Sequence, residues 1–210
     1  RVIAANYQNQ SDQFDLDEGI LPHPRYPWAN YIRGVAKTLL SHDKILTGMD
    51  IVIAGNIPQG AGLSSSAALE VAIIQSFAST CQLCIDRKEI AMIGQQAENQ
   101  FVGCQCGIMD QLASVEGLRG HALLIDCRSL ETKAIKLPDN MQILIINSNV
   151  RRELVNSEYN LRRQQCHDAA RLLNVEALRD VTAMNLDDLW THLPQQVARR
   201  ARHVISESKR

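Results

Sequence analysis

The sequence predicts a protein of mixed helices and strands built around a glycine-rich turn, and three observations carry that expectation. Met49-Asp50-Ile51-Val52-Ile53-Ala54 is a short β-branched run that suits a strand. Asn56-Ile57-Pro58-Gln59-Gly60-Ala61-Gly62-Leu63-Ser64-Ser65-Ser66 then supplies two glycines and three consecutive hydroxyls. Beyond it, Ala68, Leu69, Ala72, Ile73 and Phe77 fall at helical spacing. Strand, glycine turn, serine cluster and helix in that order make an anion site. The glycines let the backbone approach a phosphate closely, and the free N–H groups of a helix start point at it. The hydroxyls add donors, and a hydroxyl also suits Mg²⁺, a hard cation that takes oxygen ligands. A Walker A loop is excluded, because no lysine stands between Lys44 and Lys88. A Rossmann turn is excluded as well, because Ser65 occupies the place of its third glycine. On spacing alone, a serine-capped helix after a glycine turn remains equally open.

The 210 residues allow one large domain or two small ones, and a composition 45% hydrophobic and 21% charged can bury a core. A formal net charge of −1 argues against a nucleic-acid protein. The longest apolar runs, such as Ile143 to Ile146, are far too short to span a bilayer as a helix, so no membrane partner is expected. The N-terminal residues carry no signal-peptide pattern. Six cysteines stand at positions 81, 84, 104, 106, 127 and 166. Cys104-Gln105-Cys106 has the wrong spacing for a zinc knuckle, and reduced thiols in a cytoplasmic protein are the plainer account.

In chain order, residues 2–7 and 13–16 read as two short strands joined by a polar connection. Pro22, Pro24 and Pro27 mark a segment without a helix of its own. Pro27 suits the first turn of a helix running through Trp28, Tyr31, Ile32, Val35 and Leu39. Trp28 and Tyr31, three apart, are expected in the core, with an adenine-flanking role as the lesser reading. The helix after the serines runs to about Ser79. A further helix, roughly Arg87 to Phe101, sets Ile90, Ile93, Ala97 and Phe101 on one face with Glu98 near its end. A small-residue loop, Gly103 to Ile108, enters another helix around Leu112 to Val115, behind Asp110. By periodicity alone Glu98 is a solvated helix residue, and Asp110 is a first-turn charge that favours the helix dipole. His121–Asp126 and Ile135–Leu137 read as strands, and Gln142–Asn147 as a buried strand. Beyond Ser148 the chain turns polar and helical. It ends in a basic stretch with Arg199, Arg200, Arg202, Lys209 and Arg210, whose default reading is a solvated helix face.

Pro58-x-Gly60-x-Gly62-Leu63-Ser64-Ser65-Ser66-Ala67 resembles the nucleotide loop of the GHMP kinase superfamily, which includes galactokinase, homoserine kinase, mevalonate kinase and phosphomevalonate kinase. Three further stretches resemble galactokinases specifically. They are Trp28 to Val35, Ala97 to Gly103 continuing through Cys106-Gly107-Ile108-Met109-Asp110-Gln111, and Asn156 to Arg163. The resemblance implies an α+β, GHMP-kinase-like two-domain fold with its ligand cleft between the domains. Residues 1–140 would be the nucleotide-binding domain and 141–210 the start of a second. It implies ATP and Mg²⁺ as cofactors and phosphorylation of galactose at its anomeric hydroxyl. Gly60, Ala61, Gly62, Leu63, Ser64, Ser65 and Ser66 match the phosphate-binding residues. Ser66 and Glu98 match the Mg²⁺ ligands, and Asp110 matches the proposed catalytic base. Gly107, Asp110 and Tyr159 match residues at the sugar.

The family's early Gly-Arg-Val-Asn-Leu-Ile-Gly-Glu-His-Thr-Asp-Tyr motif and its late glycine-rich motif have no match here. The chain is therefore expected to be the middle of a galactokinase, truncated at both ends and inactive alone. Three other readings stay open: a kinase for another sugar such as N-acetylgalactosamine, a non-catalytic galactose sensor, and a decayed reading frame. The complete serine loop weighs against the sensor.

Overall fold

The computed structural model describes residues 1–147, 158–181 and 188–208. The chain divides into two compact units, Arg1–Glu153 and Leu154–Arg210. Helices and strands are mixed, as the sequence predicts.

The first unit opens with β1 (Val2–Ala4), a 3₁₀ turn (Ala5–Tyr7) and β2 (Gln10–Asp12), which pairs antiparallel to β1. The second strand therefore lies at 10–12 rather than at 13–16, because the single 3₁₀ turn closes the hairpin early. Parallel strands need a crossover connection. Here β3 (Ile51–Ile53) joins β1 in parallel after the chain has passed through α1 (Ala29–Ser41), giving the sheet order β2-β1-β3. Pro27 stands just ahead of α1 rather than within its first turn.

Three helices cover this sheet. Ile32, Val35 and Leu39 of α1 pack with Val71, Ile74 and Phe77 of α2 (Ser65–Thr80) and with Ile90, Ile93 and Ala97 of α3 (Arg87–Ala97). Trp28 is buried in this core and Tyr31 packs against it, as their spacing predicts. The buried face of α2 is Ala67, Glu70, Val71, Ile73, Ile74 and Phe77, whereas Ala72 is exposed. The predicted stripe was thus turned slightly, and a carboxylate lies on the apolar side. Then α4 (Met109–Glu116) follows, with Leu112 packing on Ala91 and Ile108, and the hairpin β4 (His121–Asp126) with β5 (Glu131–Lys136).

Residues 142–147 differ from expectation. They form no strand, and Ile143, Leu144, Ile145 and Ile146 are exposed. An all-apolar strand needs cover on both faces and a partner for its backbone. Among the described residues the second sheet ends with β5 paired to β4 alone.

In the second unit α5 (Glu158–Leu172) packs on α7 (Gln195–Glu207), with the short α6 (Leu189–His192) and a 3₁₀ turn (Leu178–Asp180) completing the core. Ala169, Leu178, Leu189, Ala198 and Ile205 fill it, and Arg200 Nε donates to Gln165 Oε1 at 3.0 Å. The basic residues Lys209 and Arg210, and Asn156 and Ser157 of the last quoted motif, lie outside the described residues.

Candidate functional site

The glycine turn takes the backbone shape that its residues allow. Gly60 and Gly62 adopt positive φ, +68° and +73°, where a glycine has no Cβ to clash. Ser64, which precedes α2, is also left-handed at φ 53°, a conformation costing about 1–2 kcal/mol for a residue with a Cβ. Its side chain does not cap the helix. Left-handed residues leading into a right-handed helix turn successive N–H groups inward, as in anion-binding nests. The 16-residue α2 adds the partial positive charge of its start. The loop itself is exposed from Asn56 to Gly60. Its entry is tied to the first 3₁₀ turn: Asn6 Nδ2 donates to the Gly55 carbonyl at 2.8 Å, Gly55 N–H donates to Asn6 Oδ1 at 2.8 Å, and the Tyr7 hydroxyl bonds Gln59 Oε1.

Behind the serines lies a buried polar cluster. At the end of α3 the chain passes into one turn of π-helix, Glu98–Val102, closed by Gly103 at φ +89°. Such π turns often sit at functional sites because they re-aim a side chain. Glu98 is 3% exposed, yet its carboxylate is well supplied with donors. Gln111 Nε2 donates to Oε2 at 2.9 Å and Cys106 Sγ at 3.3 Å, while the Ser66 hydroxyl supplies a further hydrogen bond. Burial pushes the Glu98 carboxyl above the usual carboxylate range, and the charge of Asp110 acts in the same direction. Cys106 reciprocally holds its proton more tightly, through burial and the facing carboxylate. It is thus a hydrogen-bond donor rather than a nucleophile.

Two predicted site residues, Ser66 from α2 and Asp110 from the first turn of α4, thus both act on a third, Glu98 of the π turn. Gly107 sits in the loop just ahead of Asp110, and a Cβ there would meet nothing within 4 Å. Tyr159 belongs to the second unit, where it stands in the first turn of α5 with its side chain half exposed.

The donor set suits a small hard cation. The groups acting on Glu98 are burial, three hydrogen-bond donors and the Asp110 carboxylate, none of them a cation. Among the described residues no three His, Cys, Asp or Glu side chains form a metal cage. Mg²⁺ does not need one, since it keeps several waters and binds through one or two protein oxygens plus substrate phosphates. One carboxylate and one hydroxyl beside a left-handed glycine turn at a helix start fit that habit.

Two residues of this cluster escape a reading of the sequence. Glu70, 0% exposed, accepts from Gln111 Nε2 at 3.0 Å, so a single amide group bridges Glu70 and Glu98. Burial, and then the charge of Glu98, pushes the Glu70 carboxyl up to about 9. The signal was its place on the apolar side of α2, one turn past Ser66. Gly94 of α3 lets the two carboxyl-bearing helices close in, since a Cβ there would stand 3.2 Å from Gln111 Cγ and 3.5 Å from Glu70 Oε2.

Among the described residues no helix is long and apolar enough to cross a membrane. Residues 30–118 match the family model of the GHMP kinases N terminal domain. That span contains the glycine turn, the serines, Glu98 and Asp110. Among solved structures the chain is similar to Lactococcus lactis galactokinase complexed with galactose, with a TM-score of 0.80 and 24% identity. The match covers 99% of this chain and 55% of that one, so the chain spans little more than half of that galactokinase's length. Residues 30–118 thus resemble a GHMP kinase N-terminal domain, within a chain whose α+β fold is similar to that of a galactokinase.

Proposed function

We propose that this chain is the nucleotide- and sugar-binding part of a kinase that transfers the γ-phosphoryl group of ATP to the anomeric hydroxyl of galactose. The observation that carries the reading is the Ser66 hydrogen bond to Glu98, with the Asp110 charge acting on the same carboxyl, beside a left-handed glycine turn. Phosphoryl transfer asks a protein mainly for positioning and charge neutralisation. The N–H groups from Gly60 to Ser66 hold the phosphates at the start of α2. Ser66 and Glu98 hold Mg²⁺, which when bound neutralises charge on the phosphate oxygens. Asp110 orients the attacking hydroxyl and accepts its proton. Gly107, with open space where a Cβ would be, leaves room for the sugar. The galactokinase of similar fold was solved with galactose, which supports the sugar class.

Because the chain spans 55% of that galactokinase, on its own it is expected to bind MgATP without turning over sugar at an appreciable rate. Calorimetric titration of the purified chain with MgATP tests the reading, with galactose and N-acetylgalactosamine phosphorylation assayed in the same samples. Saturable binding of MgATP supports it. A chain that is folded by circular dichroism yet binds no MgATP overturns it, and preferential phosphorylation of N-acetylgalactosamine reassigns the sugar.

A further inference from the structure

Glu70 and Gln111 take no part in the chemistry just described, yet both are fully buried directly behind it. Each also leaves one oxygen, Glu70 Oε1 and Gln111 Oε1, buried without a hydrogen-bond partner among the described residues. Buried polar atoms are nearly always paired, so two orphans at one contact call for an explanation. They belong to the two ends of a bond already present, Gln111 Nε2 to Glu70 Oε2 at 3.0 Å. The other N–H of that amide reaches Glu98 Oε2 at 2.9 Å.

We propose that Gln111, braced from behind by Glu70, is a positioning residue for Glu98 and thereby sets how strongly the site holds a divalent cation. A proton on Oε1 of Glu70 converts one orphan into a donor and leaves the amide oxygen of Gln111 as its acceptor. Acid and amide then satisfy each other through two bonds, and the amide has no freedom to turn away from Glu98. The groups facing Glu70 agree with this assignment. Burial and the charges of Glu98 and Asp110 all favour its neutral form, and only the hydrogen bond from Gln111 opposes them. Tyr31, Cys104 and Cys106, the other titratable groups beside it, are held toward their neutral forms chiefly by burial. At Gly94 a Cβ would press on Gln111 and touch Glu70, so the brace is closely packed on that side.

The inference rests on the proposed cation role of Glu98, and its test separates the two. The chain is titrated with ATP in the presence and absence of Mn²⁺, and the gain in affinity brought by the metal is read. Groups that orient a metal ligand typically contribute about 10–100-fold to metal affinity. Gln111→Leu and Glu70→Met are expected to reduce the gain by about that factor while circular dichroism stays unchanged. Glu70→Gln keeps both bonds without a charge and is expected to retain the gain. No gain from Mn²⁺ in the unsubstituted chain overturns the cation reading, and this inference with it. A full gain in folded Gln111→Leu and Glu70→Met overturns the inference alone. Where those variants do not fold, Glu70→Gln decides, since a tenfold or larger loss there shows that Glu70 serves as a charged group.

Discussion

Glu98 and Glu70 are both buried carboxyls, but the sequence sets them on different paths. Glu98 has three donors, including the Ser66 hydroxyl, whereas Glu70 has one. The proton on Glu70 has a consequence for stability. Folded, Glu70 keeps its proton up to about 9, against an ordinary carboxylate value of 4.5. Between those values the folded chain binds one proton more than the unfolded chain, so stability falls as pH rises through the window. Glu70→Gln removes this equilibrium. Urea unfolding at about pH 5.5 and about pH 8 is expected to show a smaller loss of stability for Glu70→Gln than for the unsubstituted chain. An unchanged difference between the two would place an ionised carboxylate at this position. Asp110 supplies a second prediction. A positioned base typically contributes about 10²–10⁴-fold, so Asp110→Ala is expected to cost at least ~10²-fold in kcat in a galactose-phosphorylating polypeptide that contains this chain. A coupled assay for released ADP reads that loss, and near-normal turnover would remove Asp110 from the chemistry. The motif residues Ser66, Glu98 and Asp110 were legible because each stands in a recognisable stretch. Glu70 and Gln111 were given no role, even though Gln111 closes one of those stretches, because a single Glu or Gln in a helix reads as surface until its neighbours in space are known.

At the level of elements, the site depends on how helices begin and end. Asp86 starts α3 by accepting from the Glu89 N–H at 2.8 Å, and α3 carries Glu98 on the π turn that follows its last residue. Removing such a cap typically costs about 1 kcal/mol. Asp86→Ala is therefore expected to lower the urea midpoint by an amount equivalent to about 1 kcal/mol, whereas Asp86→Asn keeps most of it. Equal midpoints for Asp86→Ala and the unsubstituted chain would show that packing of Ile90, Ile93 and Ala97 alone sets the start of α3. The helices and the first hairpin strand were readable because hydrophobic spacing and punctuation agree there. Periodicity carried a plain helix on to Phe101, but it does not reveal the widened π turn over 98–102. That turn depends on Gly103 closing back on the Glu98 carbonyl, through an N–H bond of 2.9 Å. The second strand was misplaced by about three residues because a 3₁₀ turn of Ala5–Tyr7 closes with no glycine or proline to announce it.

On the scale of the whole molecule, the two units each have a core of their own, and the largest mismatch between pattern and structure lies on the surface of the first. Ile143 to Ile146 is the most continuously apolar stretch of its region, and apolar continuity is what a strand buried on both faces requires. Pattern states that need and cannot state whether a partner meets it. Here Leu144 is 82% exposed, and Met141, Ile143, Ile145 and Ile146 are exposed beside it. A short, uncharged, β-branched segment that joins no sheet among the described residues is a template for pairing with a second chain. The chain is therefore expected to self-associate as its concentration rises. Charges placed on such a segment oppose association, since pairing would bring like charges together and bury them. The double substitution Leu144→Lys with Ile146→Lys puts two charges on neighbouring exposed positions of one segment and touches no core side chain. It is expected to shift sedimentation-velocity profiles toward the monomer while leaving the urea midpoint within about 0.5 kcal/mol of its original position. Association that persists undiminished in this variant would locate the contact elsewhere. A lowered midpoint would show that the segment packs against its own chain in solution.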